Sequence, residues 1–243
     1  MKFYTLFSLL ILFSCQKPKP AVTVDTISNS KKTEDTVLKE KFLKTDTIAI
    51  SDGEDSFSKN YILANLIKEN IDKDSIVTSH YQLDFYENKT KTASSKVAIK
   101  GNEKGSEWNA YFGLNDAPSK NSPFLQVSYG YPACGYAHDH FLFYLKNNEA
   151  ELVYSWLTIS DSGWGNWVEF QSQSSDYEAK TFYCKNVAFS PADGEDENMG
   201  VVSYSDSTFF EYKNKHWNKK LLSAKDKNYF EKTMTFDEFH NAK

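Results

Sequence analysis

The chain contains no arginine: all 28 of its basic residues are lysine. Forked guanidinium recognition of carboxylate or phosphate, and arginine-finger chemistry, are thereby excluded, so an anion can be held only by ammonium groups or amides. Positive charge is also in deficit, with 33 acids giving a net charge of −5. That balance argues against nucleic acid, whose binding rests on neutralising phosphates. Several catalytic signatures are missing too. There is no Gly-x-Ser-x-Gly elbow, no His-Glu-x-x-His, no phosphate-binding glycine loop and no Cys-x-x-Cys. No internal repeat at a fixed period is found, which removes the propeller and solenoid readings.

What is present begins at the N-terminus. Met1-Lys2 opens with a positive charge, residues 3–13 form a nearly unbroken apolar run, and Leu12-Phe13-Ser14-Cys15 closes it. About 11 apolar residues fall short of the roughly 20 that a helix needs to cross hydrocarbon, and the layout is that of a secretory signal. The tetrapeptide resembles a bacterial lipobox. The resemblance implies cleavage before Cys15, acylation of Cys15 and a tethered protein held by its acyl chains. Because Gln16 is not the aspartate that retains many lipoproteins at the inner membrane, the expected location is the outer membrane, facing the periplasm. Residues 15–44 are rich in Lys, Thr, Asp, Ser and Pro without periodicity, the composition of a tether. The expected organisation is thus a signal peptide at 1–14, a tether at 15–44 and one globular domain at 45–243.

Within that domain the dominant period is two. Tyr81, Leu83 and Phe85 alternate with polar residues, and so do Leu125, Val127 and Tyr129, which marks strands with one buried face. Residues 139–146, 151–160 and 164–171 read as three strands joined by turns at Asn147-Asn148-Glu149 and Asp161-Ser162-Gly163, an antiparallel meander. Residues 181–189, 201–213 and 216–222 continue the pattern. Apolar residues at Phe57, Tyr61, Ile62, Leu63, Leu66, Ile67 and Ile71 recur at three and four, so a short N-terminal helix is predicted over 56–69, and a second helix is expected within 224–240. The fold class predicted is all-β, an antiparallel sandwich or open barrel with these short flanking helices.

Three groups of residues invite chemistry. Cys134 and Cys184, an even pair in an exported domain, are expected to form a disulfide. His138 and His140, two apart on a strand, share a face and can both offer imidazole nitrogen to a divalent metal. A third ligand would have to come from Asp84, Asp161, Glu169 or Asp176, and the bland alternative is local hydrogen bonding. Trp164 and Trp167 flank a glycine-rich turn and can stack on a sugar ring, with Asp161 and Asn166 supplying hydrogen bonds. The alternative is a tight hairpin whose tryptophans pack on the sheet. The acidic run 193–198 fails the calcium-loop template, since Asn198 stands at the glycine place.

No cofactor is demanded by these patterns. The leading expectation is a lipid-anchored, non-catalytic envelope protein that binds a saccharide or an envelope protein. A metal-dependent envelope hydrolase using His138 and His140 is the alternative.

Overall fold

A computed structural model describes residues 41–51, 57–114, 122–194 and 197–241. The signal peptide, Cys15 and most of the tether lie outside the described residues. Thirteen strands run through the compact unit Glu40–Lys243. They are β1 (Lys44–Ser51), β2 (Phe57–Ile71), β3 (Val77–Glu87), β4 (Thr90–Lys100), β5 (Glu107–Phe112), β6 (Phe124–Gly130), β7 (Ala137–Lys146), β8 (Glu149–Asp161), β9 (Trp164–Gln171), β10 (Thr181–Pro191), β11 (Met199–Lys213), β12 (His216–Leu221) and β13 (Asn228–Thr235). A six-residue helix, α1 (Phe236–Asn241), follows. Among the described residues no helix is long and apolar enough to cross a membrane.

Hydrogen bonds join all the strands into one unclosed sheet, ordered β12-β11-β10-β9-β8-β7-β6-β5-β1-β2-β3-β4, with β13 also on β11. The fold is all-β, as the alternation predicts. Pairing is antiparallel except where β1 meets β5 through Ile50 with Ala110 and Ser51 with Tyr111.

Alternation along β7 explains how one sheet makes a globule. Phe141 and Phe143 enter a core with Ile62, Leu83, Ile99 and Val127, whereas Leu142 and Tyr144 enter a second core with Phe124, Phe182, Phe210 and Trp217. A strand apolar on both faces must be covered on both. The first half of the sheet supplies one cover, with β4 reaching β8, and the second half supplies the other, with β12 also reaching β8.

The second fold-over occurs at the β8–β9 hairpin. The ladder there holds only Ile159 with Asn166, Ser160 with Gly165 and Asp161 with Trp164. Directly opposed residues share a face, so in a flat ladder Val168 and Phe170 would lie on the Ile159 face, away from Trp156. Yet Phe170 meets Trp156 with ring centroids 5.2 Å apart. The strands must therefore twist apart past Asn166, making a corner of the kind that turns one layer into the next. Gly165 permits it: its φ is +140°, and a Cβ there would lie 2.1 Å from the Ile159 carbonyl oxygen.

A third cluster of Val187, Phe189, Val202 and Phe239 lies against β10 and β11, with Trp164, Trp167 and Phe236 packed on it. Its lid is α1.

Three expectations are corrected. The helix expected over 56–69 is not formed: residues 57–69 are most of β2, paired with β1 and β3, and residue 56 lies outside the described residues. Ile62, Ala64 and Leu66 are buried, while Tyr61, Leu63 and Ile67 on the other face are half-buried, and a bulge between Leu66 and Lys68 breaks the alternation. An apolar strand with a bulge thereby imitates helical spacing. The C-terminal helix is confined to α1, because residues 228–235 pair with β11. Finally, Cys134 and Cys184 form no disulfide: both are free. Gly135 donates its N–H to the Ser160 carbonyl at the hairpin end, which lies level with Phe189, five residues along β10 from Cys184. Five strand residues span roughly 16 Å, against the limit of about 7 Å between bridged Cα atoms.

Candidate ligand-binding site

At the open end of the second core, where β8 and β9 diverge, lies a pocket of about 580 Å³. Its floor is the even-numbered face of β7 and β8, carrying His140, Trp156, Thr158 and Ser160. Asn166, Trp167, Val168, Glu169 and Phe170 of β9 form one wall. Tyr111, Leu114, Gln126, Gly163 and His240 complete it.

The floor is an aromatic ladder. His140 stacks on Trp156 at 5.0 Å and 11°, and Trp156 stacks on Tyr154 at 5.7 Å and 18°. Phe170 meets the Trp156 ring edge-on from β9. His140 Nε2 shares a 2.9 Å hydrogen bond with the Thr158 hydroxyl. Burial, and then the neighbouring His138, lower the His140 pKa to about 4, so the ring is an uncharged imidazole at neutral pH.

Neutral hydrogen-bonding groups frame the pocket. The Asn166 side chain caps the broken ladder: its Oδ1 accepts the Ile159 N–H at 3.2 Å and its Nδ2 donates to the Leu157 carbonyl at 3.3 Å. A side-chain amide stands where a backbone amide would otherwise continue the pairing. Gln126, 4% exposed, donates to the carbonyls of Gly113 and Leu114 and accepts from the Tyr111 hydroxyl, which fixes that rim. Glu169 is ion-paired to Lys185 at 3.2 Å. Among the described residues no lysine lines the pocket.

The residues singled out from sequence divide. Asn166 and Trp167 line the pocket, and Trp167 also packs on Phe239. Trp164 does not: it is stacked on Phe189 at 4.5 Å within the third cluster. Asp161 is exposed and accepts a hydrogen bond from its neighbour Ser162. His138 and His140 share a face, as expected, with centroids 6.3 Å apart. His138 Nε2 donates to the Tyr131 carbonyl at 2.7 Å, and the ring occupies space that only a glycine at position 130 leaves, since a Cβ on Gly130 would fall 2.2 Å from it.

Of the four carboxylates proposed to complete a metal site, Glu169 lines the same pocket as His140 but is ion-paired to Lys185, and Asp161 is exposed at the hairpin tip. Asp84 is buried among Asn65, Gln82, Lys91 and Ser94, and Asp176 accepts the Leu114 N–H. Among the described residues no three His, Cys, Asp or Glu side chains are grouped to hold a metal. Trp156, Thr158 and Phe170 were not visible as site residues in the sequence, because their convergence depends on the corner.

No protein-family model, no curated protein and no solved structure matches the chain.

Proposed function

We propose that this is a lipid-anchored cell-envelope protein that binds an uncharged, ring-containing ligand, a saccharide being the best fit, without catalysing its conversion. The observation that carries the reading is the pocket at the β8–β9 corner. It offers aromatic surface in Phe170, Trp167 and Trp156, the last already stacked with His140 and Tyr154, neutral polar groups in Thr158 and Asn166, and an unprotonated His140. Flat apolar faces interleaved with hydrogen-bonding groups suit a pyranose, whose C–H face stacks while its hydroxyls find partners. Among the described residues the lining carries no lysine to hold an anionic ligand, and the nearby Lys185 is already engaged by Glu169. Anchoring rests on the resemblance of residues 12–15 to a lipobox.

The test is isothermal titration of the protein with neutral disaccharides of N-acetylglucosamine and of glucose, and with a uronic-acid disaccharide as the charged control. Saturable binding of a neutral sugar, weakened about tenfold or more in Trp156→Ala, is expected, stacking being worth about 1 kcal/mol or more beyond area. Equal affinity for the uronic-acid probe, or binding indifferent to Trp156→Ala, would count against the reading.

The second reading, a metal-dependent hydrolase, is favoured by the 6.3 Å approach of His138 and His140. It is weakened by the engagement of both Nε2 atoms with Tyr131 and Thr158. Metal content of chelator-free protein, compared with His138→Ala/His140→Ala, separates the two.

A further inference from the structure

The segment from Lys219 to Lys232 departs from the rest of the molecule in both charge and exposure. It carries five lysines against Asp226 and Glu231, in a chain whose net charge is −5. Every residue in it except Ser223 is exposed. Of the twelve large apolar side chains exposed among the described residues, four fall here: Leu221, Leu222, Tyr229 and Phe230, at 40, 51, 50 and 39%.

These residues lie together because β12 and β13 follow one another along the same edge of β11, β12 on Thr208–Lys213 and β13 on Met199–Ser205. The link between them is held down by three bonds: Leu222 N–H donates to the Ser207 carbonyl, the Ser223 hydroxyl accepts the Ser207 N–H, and Asp226 N–H donates to the Asp206 carboxylate. The register of β13 steps from Phe230 opposite Tyr204 to Asn228 opposite Ser205, so Tyr229 is the extra residue of a bulge. Both rings consequently meet Tyr204, Phe230 stacked at 4.6 Å and Tyr229 at 6.4 Å. Lys185 caps the same Tyr204 ring with its ammonium 3.7 Å from the centroid.

Lysines along a sheet edge have a simpler use, which is to keep edges from pairing with other chains. That use explains the charge but not the four exposed apolar side chains among it, which raise the hazard the lysines would be there to lower. Aromatic rings and leucines at the surface, rimmed by lysines whose long stems let the ammonium groups reach outward, is the composition of a surface that lies in a membrane interface. Opposite charge names the partner: anionic phospholipid, which attracts basic segments within a Debye length.

We propose that the β12–β13 edge is a peripheral docking surface for anionic bilayer, seating Leu221, Leu222, Tyr229 and Phe230 at the headgroup level with Lys220, Lys225 and Lys227 on lipid phosphates. The proposal is independent of the sugar pocket and of acylation, since the lipid contact is made by the folded unit.

The experiment is vesicle co-sedimentation of residues 16–243, which lack the acylated cysteine, with vesicles of phosphatidylglycerol and phosphatidylethanolamine or of phosphatidylcholine alone. Binding to the anionic vesicles is expected at low salt, falling steeply by 0.5 M salt as the screening length shrinks to roughly 4 Å. Lys225→Glu/Lys227→Glu, placed in the exposed link, is expected to weaken partitioning by more than about tenfold. Tyr229→Ser should weaken it with the salt dependence kept. Thermal unfolding of each variant confirms that the fold is intact. The proposal is overturned by absent binding to anionic vesicles, by equal binding to phosphatidylcholine, or by unchanged binding of the double-charge variant.

Discussion

His140 lies flat against Trp156 across the β7–β8 ladder, the ring centroids 5.0 Å apart and the planes 11° from parallel. The contact does two jobs. It helps exclude water from the imidazole, which keeps His140 uncharged, and it presents the indole to the pocket as one plate of a stack that continues to Tyr154. Trp156→Ala should therefore cost about 3 kcal/mol of stability through lost contact with His140, Tyr154 and Phe170. It should also raise the His140 pKa back toward 6.5. Denaturant unfolding gives the first quantity, and the pH titration of the His140 ring proton by NMR gives the second.

The neighbouring pair Asp139 and His140 make opposed demands on pH. Burial raises Asp139 to about 6 and lowers His140 to about 4. With His140, the unfolded chain takes up the proton first as pH falls below 6.5, so the fold is progressively destabilised down to about pH 4. For Asp139 the folded chain takes it up first, so stability is gained as pH falls from about 6 towards 3.8. The two effects offset each other across pH 4–6. Relative to the parent, His140→Phe should gain in Tm as pH falls through that window, and Asp139→Asn should lose. Parallel Tm curves for all three proteins would refute the assignment.

Asn166 closes the ladder at the corner with its side chain. Asn166→Ala removes the acceptor for the Ile159 N–H and the donor to the Leu157 carbonyl, at a cost of about 1–2 kcal/mol since both partners are solvent-accessible. Hydrogen exchange at the Ile159 amide should accelerate at least tenfold, while the amides of β10 keep their protection. Asn166→Asp retains the acceptor but sets a carboxylate against the Leu157 carbonyl oxygen, so it should be no better than Asn166→Ala. Faster exchange spread evenly over the sheet would place the role of Asn166 in general packing and not at the corner.

The two hairpins from β7 to β9 were legible because each turn has its own chemistry, Asn147-Asn148 and Ser162-Gly163 with positive φ at their tips. The site was only half legible, and β8 shows why. Counting back from the Asn147-Asn148 turn, Lys146 opposes Glu149 and Phe143 opposes Leu152, a register that would put Ser155 across from His140. A bulge at Val153 advances the pairing by one, so Trp156 takes that place. Periodicity predicts faces; it does not predict a single inserted residue, and here that residue decides which ring meets the imidazole. Trp164 misled for a related reason. Its proximity to Asn166 in sequence suggested a shared surface, but the turn of backbone at Gly165 sends Trp164 onto Phe189 under α1. β4 and β5 gave no signal of their own, their buried positions including small residues such as Ala93 and Ala110 that leave the alternation faint.

Cys134 and Cys184 differ sharply in their access to solvent. Cys134 is exposed in the β6–β7 loop, while Cys184 is 2% exposed on β10 inside the second core. Burial pushes the Cys184 thiol up to about 12, against weaker opposing hydrogen bonds from Tyr154 and Thr208, so almost none of it is thiolate at neutral pH. Native protein treated with iodoacetamide at pH 8 should thus be alkylated at Cys134 alone, and Cys184 should react only after denaturation, as peptide mass mapping would show. Cys184→Ala should leave Cys134 labelling unchanged and lower stability by about 1–2 kcal/mol through the small cavity it opens between Phe170 and Thr208. A protein that takes up no label before or after denaturation, until a reductant is added, would restore the disulfide and require β10 to lie much nearer the β6–β7 loop than it does.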